Sequence, residues 1–203
     1  MLGAILLTVM AGGVLLVPLN EGQTVQLLDS LVALQAAGGD IRTRMAELSM
    51  HLGRPNDGIR GNTLLHLAAA NGHTKAIQVL VATGASLEAK MVGTDERGRY
   101  ESTPLQLAAG SGKVAAIQAL IAAGASLKDG PFSPLHMAAQ DGHALAIAVL
   151  ADAGASLEAV DNLGNTPLHE ATTWGHAGAI KALVAAGAPL EATSDAGLTP
   201  LHL

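Results

Sequence analysis

The sequence predicts a mainly α solenoid of stacked helix-turn-helix repeats. Three observations carry that expectation. A four-residue string recurs in phase along the chain, a second marker follows it at a fixed distance, and the composition suits short helices packed closely together.

The strings are Thr63-Leu64-Leu65-His66, Thr103-Pro104-Leu105-Gln106, Ser133-Pro134-Leu135-His136, Thr166-Pro167-Leu168-His169 and Thr199-Pro200-Leu201-His202. The first four are each followed by a marker: Gly84-Ala85-Ser86-Leu87, Gly124-Ala125-Ser126-Leu127, Gly154-Ala155-Ser156-Leu157 and Gly187-Ala188-Pro189-Leu190. From anchor leucine to marker glycine the interval is nineteen residues in all four repeats. From that glycine to the next anchor leucine it is 21, 11, 14 and 14, so the last two periods are 33 residues. Packed elements demand a fixed length, and surface connectors tolerate a variable one.

Within the fixed half, Thr or Ser is placed to cap a helix by accepting from an orphan backbone N–H. Proline next to it occupies the first helical position, where its missing N–H costs nothing. Two helical turns then run to a glycine at Gly72, Gly112, Gly142 or Gly175, which ends the helix. The second helix carries Ile77, Leu80 and Val81 at i, i+3 and i+4. The same column returns as Ile117, Leu120 and Ile121, as Ile147, Leu150 and Ala151, and as Ile180, Leu183 and Val184. Each helix thus has one apolar stripe. Helices this short fall below the roughly 12–15 residues at which an isolated helix becomes marginal, so they must stack on neighbours.

Thr-Pro-Leu-His-x-Ala with a 33-residue period resembles the ankyrin repeat. The resemblance covers residues 61–203, as four complete repeats plus the opening of a fifth, with residues 1–60 as an N-terminal segment. It implies β-hairpin or loop fingers between the helix pairs and binding of other proteins through a concave face. Leu64, Gln106 and Ser133 depart from the motif, and capping or packing is expected to be weaker there.

The connectors are uneven. The one from Gly84 to Leu105 is enlarged and charged, with Lys90, Asp95, Glu96, Arg97, Arg99, Tyr100 and Glu101, and is read as a loop projecting into water. The next, Lys128-Asp129-Gly130-Pro131-Phe132, is read as a reduced finger. At Leu203 a fifth repeat has just begun, so the last complete repeat is expected to expose its stripe. This favours a chain cut short, and with it a second reading: the targeting or regulatory portion of a larger protein such as an enzyme or channel.

Residues 1–19 are almost wholly apolar, and three readings stand: a β-hairpin around Gly12-Gly13, a signal peptide, or a membrane anchor. A helix over 24–37 follows and ends in Gly38-Gly39-Asp40-Ile41, which resembles the repeat marker. It reads as the back half of a degenerate capping repeat. Residues 42–60 read as an irregular connector with a turn at residues 54–58.

Composition bounds the function. Of 203 residues, 49% are hydrophobic and 14% charged, which excludes a disordered acidic tail. Aromatic residues are 1%, so the core must be aliphatic. A net charge of −6 without a basic face argues against nucleic acid. Arg42, Arg44, Arg54 and Arg60 are interleaved with Glu47 and Asp57 and read as a solvated connector. There is no cysteine, hence no disulfide and no cysteine-based zinc site. That fits a cytoplasmic chain unless residues 1–19 are a leader or anchor. A monomer is expected.

No constellation for catalysis stands out. The pairs His66/His73, His136/His143 and His169/His176 suggest a metal. Equivalent residues on stacked helices, however, lie about 8–10 Å apart, too far for two ligands with bonds near 2.0–2.1 Å to share one ion. The resemblance makes the first histidine of each pair a structural hydrogen-bonding residue between repeats. Gly110-Ser111-Gly112-Lys113 superficially resembles a phosphate loop, but it falls where other repeats have a turn before His73, His143 and His176. The expectation is therefore a non-catalytic scaffold without cofactor or metal that binds a partner protein. Trp174 is its leading candidate, because its column holds Asn71, Ser111 and Asp141 elsewhere and an exposed tryptophan is a frequent anchor. A tryptophan folded over neighbouring alanine and glycine is the competing reading. Tyr100, Arg97 and Arg99 on the enlarged finger, and Glu170, Met137, Gln140 and Asp141 near the concave face, complete the candidate set.

Overall fold

The computed structural model describes residues 21–41, 43, 63–95, 98–128 and 132–203. The three readings of residues 1–19 and the turn at 54–58 lie outside them.

Helix α1 spans Glu21–Ala36. Four helix pairs follow: α2 (Leu64–Asn71) with α3 (Thr74–Ala82), α4 (Pro104–Gly110) with α5 (Val114–Ala122), α6 (Pro134–Gln140) with α7 (Ala144–Asp152), and α8 (Pro167–Thr173) with α9 (Ala177–Ala185). A 3-10 turn, Pro200–His202, opens the fifth string. Strands β1 (Met91–Asp95) and β2 (Gly98–Ser102) lie between α3 and α4.

The pairs stack as two layers of an α-solenoid. First helices α2, α4, α6 and α8 contact one another in order, and the 3-10 turn continues the row on α8. Second helices α3, α5, α7 and α9 form the other row, with α1 packed at its front against α3. The anchor leucines Leu65, Leu105, Leu135 and Leu168 point between the layers and are at most 1% exposed. Each such burial stabilises the stack by about 1.5–3 kcal/mol. Ala68, Ala69, Ala108, Ala109, Ala138 and Ala139 are fully buried, and their small side chains let neighbouring helices approach closely.

The stripes of the second helices are graded. Ile77 and Leu80, and their counterparts Ile117, Leu120, Ile147 and Leu150, are buried, whereas Val81, Ile121 and Ala151 are half-buried. In the last pair Leu183 is buried, Ile180 is half-buried and Val184 is 43% exposed. Leu201 is 78% exposed where its four counterparts are buried.

Capping follows the repeat even where the motif departs from it. Thr63, Thr103 and Ser133 each accept from the backbone N–H three residues on at 3.4 Å. Leu64 in place of proline and serine in place of threonine therefore leave the caps intact. Helix α1 ends as a second helix does: Gly38 N–H donates to Gln35 O and Gly39 N–H to Leu34 O, as Gly84 N–H does to Val81 O and Ala85 N–H to Leu80 O. Its Leu27, Leu28 and Leu31 join the core.

The enlarged connector is a hairpin, not an open loop. Strands β1 and β2 pair antiparallel, with Met91 opposite Ser102 and Asp95 opposite Gly98. Buried Met91 and Ser102 root it in the stack, and Lys90 and Glu101 form an exposed ion pair at 3.4 Å. Its charges and glycines pointed to a loop; Val92, Thr94 and Tyr100 supply the β-propensity that a composition reading underweights. In the next connector residues 129–131 lie outside the described residues.

Candidate functional site

The polar groups that recur in phase form a relay between repeats. The backbone N–H of Thr63 donates to His66 Nδ1 at 3.2 Å, and the Thr63 hydroxyl lies 2.8 Å from the same nitrogen. Because Nδ1 accepts a backbone N–H, the ring proton sits on Nε2, which donates to Ser102 O at 3.0 Å in the next repeat. His136 repeats the arrangement with Ser133 and with Asn165 O at 3.0 Å. His169 does so with Thr166 and with Leu198 O at 3.0 Å. Gln106 substitutes for the ring: its Oε1 accepts from Thr103 N–H at 2.7 Å and its Nε2 donates to Phe132 O at 2.6 Å. Burial pushes the His66 and His136 imidazoles below the ordinary histidine value, against backbone carbonyls and, for His136, Asp161, which pull upward. These side chains fix where each finger leaves the stack; their ring nitrogens are occupied by protein groups. Among the described residues no three His, Cys, Asp or Glu side chains are gathered as metal ligands would be.

The second histidine of a pair has a different task. His143 Nε2 meets Gly110 O at 2.8 Å, and its ring lies over Gly112, the turn glycine of the preceding repeat, at φ +63°. The Gly110-Ser111-Gly112-Lys113 segment is thus a helix-ending turn.

The surface of the first helices carries the candidate binding residues. At the position after the relay residue, Leu67, Leu107 and Met137 are half-buried and Glu170 is 8% exposed. Three residues on, Ala70, Gly110 and Gln140 are half-buried and Thr173 is exposed; at the next position Asp141 is exposed and Trp174 is 47% exposed. The Trp174 Nε1–H donates to Glu170 Oε2 at 3.3 Å. Asp141 and Met137 crowd together over Gly110, where an added Cβ would lie 2.9 Å from Asp141 Oδ2 and 3.2 Å from the Met137 methyl. Met137, Gln140 and Glu170 lie on the adjoining helices α6 and α8, and Asp141 and Trp174 cap the C-terminal ends of these helices. The finger candidates stand apart, before α4. Arg97 lies outside the described residues, while Tyr100 and Arg99 occupy β2 opposite Gly93 and Thr94.

One feature escaped the sequence reading. Leu163, Asn165, Thr173, Asp195, Leu198 and Leu203 line an open groove of about 470 Å³ between two finger loops and the end of α8. The Asp161 carboxylate holds one of these loops by accepting from Leu163 N–H and Asn165 N–H, both at 2.8 Å. Leu163 is 66% exposed and Leu198 39%. Leucines at finger tips, where connectors are usually polar, were the available signal.

These features define a repeat solenoid of two helical rows joined by finger loops. A family model for ankyrin repeats (3 copies) matches residues 33–130 and 123–194. The chain belongs to the ankyrin-repeat family, whose repeats are generally protein-interaction modules and typically non-catalytic. No curated protein matches it. Among the described residues no helix is long and apolar enough to cross a membrane.

Proposed function

We propose that this chain is a non-catalytic scaffold that holds a partner protein across the first-helix face and the finger loops, with Trp174 as anchor. The observation that carries the reading is the 47% exposed indole of Trp174, tethered through its N–H to a carboxylate that is itself 8% exposed. A tryptophan fixed in that way loses little side-chain freedom on binding, which is what makes an aromatic anchor effective. Met137 and Gln140 on the neighbouring helix, and Asp141 at its C-terminal end, extend the same surface.

The test is affinity capture with the full chain and with Trp174→Ala, read by quantitative mass spectrometry. Trp174 caps a helix end outside the hydrophobic core, so the variant should keep its far-UV circular dichroism even though Glu170 loses one hydrogen bond. A partner recovered by the parent and reduced about tenfold or more by the variant is expected of an anchor worth at least 1.4 kcal/mol. Equal recovery of every specific partner by both proteins would refute Trp174 as the anchor.

A further inference from the structure

The outward side of the second row carries a face that the scaffold reading does not use. On a helix, positions i, i+3 and i+7 share one side. In α7 these are Leu145, Ala148 and Asp152, and in the adjoining α9 they are Gly178, Lys181 and Ala185. All six are exposed, Leu145 to 74%. Their counterparts Ala115 and Gln118 on α5 are exposed too, although α3 and α7 pack on that helix. The face is therefore open inside the stack as well as at its last pair. Beyond its own helix, an added Cβ at Gly178 would have only the Ala144 Cβ within 4 Å, at 3.8 Å. A notch thus stands beside the protruding leucine.

Size alternates across this face. Leu145 stands level with Gly178, Ala148 with Lys181 and Asp152 with Ala185, each pair one period of 33 residues apart. At every level a longer side chain lies beside a short one, and the longer one changes helix from level to level. A two-fold axis along the seam between α7 and α9 would lay α7 of each copy on α9 of the other. Rotation about an axis parallel to the helices leaves height along it unchanged, so the levels are kept. Leu145 then meets the notch at Gly178 of the second copy, Lys181 meets Ala148, and Asp152 meets Ala185. Lys181 also comes within one turn, about 6 Å along the axis, of Asp152 of the second copy, a span its four-carbon stem can bridge. This acid and this base are the only charges at the six positions. An antiparallel pairing of α7 with its own copy would set Leu145 against Asp152 instead.

We propose that this face pairs two copies of the chain, with Leu145 of each seated at Gly178 of the other and Lys181 paired with Asp152. The occupant is a second copy because both size and charge are self-complementary, as a two-fold interface requires. The face lies on the row opposite Trp174, so the pairing goes beyond the scaffold reading without resting on it, and it departs from the monomer expected of the sequence. Six positions a side, against about 20–30 in a stable interface, make the pairing weak and concentration-dependent.

Sedimentation equilibrium of the full chain over about 5–200 μM should show a monomer–dimer equilibrium. Gly178→Leu fills the notch and replaces a glycine inside a helix. It should raise the urea midpoint while weakening dimerisation about tenfold or more, which separates loss of pairing from loss of folding. Asp152→Lys and Lys181→Asp should each weaken dimerisation about fivefold, and the two together in one chain should return it to within about twofold of the parent. Trp174→Ala should dimerise as the parent does. A chain that stays monomeric, dimerisation unchanged by Gly178→Leu, or a charge exchange no better than either single change overturns the pairing. Dimerisation lost in Trp174→Ala would place self-association on the first-helix side and overturn it as well. The scaffold reading is decided separately, by what Trp174→Ala captures.

Discussion

Replacing His136 by alanine removes several polar contacts at once. Its Nε2–H leaves the carbonyl of Asn165, 3.0 Å away in the next repeat. Its Nδ1 leaves the buried Ser133 N–H at 3.2 Å and hydroxyl at 2.8 Å. The tilted contact with the Phe132 ring, 5.3 Å between centroids, is lost as well. Each buried group left without a partner costs about 1–3 kcal/mol, and the void left by the ring adds to that, so the total is about 3–5 kcal/mol. The chain contains its own control. Gln106 makes both contacts of the relay with an amide, at 2.7 and 2.6 Å, so His136→Gln should cost only about 1 kcal/mol. The assay is urea unfolding of the full chain followed by far-UV circular dichroism. Solenoid stability is close to a sum of repeat and interface terms, so the alanine variant should lower the midpoint and separate the fourth repeat into an earlier transition. A glutamine variant as damaged as the alanine one, or an alanine loss under about 1 kcal/mol, would refute the relay as the source of coupling between repeats.

Two further outcomes follow from the same geometry. Burial holds the His66 and His136 imidazoles below the ordinary value of 6.5, so the unfolded chain takes up protons there that the folded chain refuses. Their contribution is complete above about pH 6.5 and is lost as the pH falls toward the folded values. Urea midpoints at about pH 7.5, 6 and 5 should therefore decline, and less steeply in the His66→Gln, His136→Gln double variant; identical slopes for both proteins would exclude these rings as the cause. Gly124 and Gly112 both have positive φ, +95° and +63°, but an added Cβ meets nothing within 4 Å at Gly124 and lies 2.6 Å from the His143 ring at Gly112. Gly124→Ala should cost about 1 kcal/mol from backbone strain alone, and Gly112→Ala distinctly more in the same urea assay; equal losses would show that the ring yields freely.

Much of this protein was legible as spacing. The nineteen-residue interval fixed which residues stack, because a helix pair can be lengthened only at its connector. The anchor leucines, the alanine columns and the capping threonines each occupied the place their pattern required. Individual surfaces were less legible. Glu170 stands in a column that is half-buried elsewhere, yet the adjacent Trp174 accepts its company and leaves it 8% exposed. The finger from Met91 to Ser102 looked like a loop because charge and glycine masked alternating β-formers. The open groove at Leu163 and Leu198 joins loops 33 residues apart with the end of a helix, and no local pattern announces such a meeting.

The sequence by itself determined the repeat, its register and the aliphatic core, since periodic burial writes itself into periodic composition. Only the tertiary structure decided that His66, His136 and His169 reach across to the carbonyl before the next cap, and that Trp174 is pinned by Glu170 while half its surface stays open. The physical reason is range. Period and propensity act within one repeat, whereas hydrogen bonds between repeats and the exposure of a single indole depend on where the neighbouring repeat places its atoms.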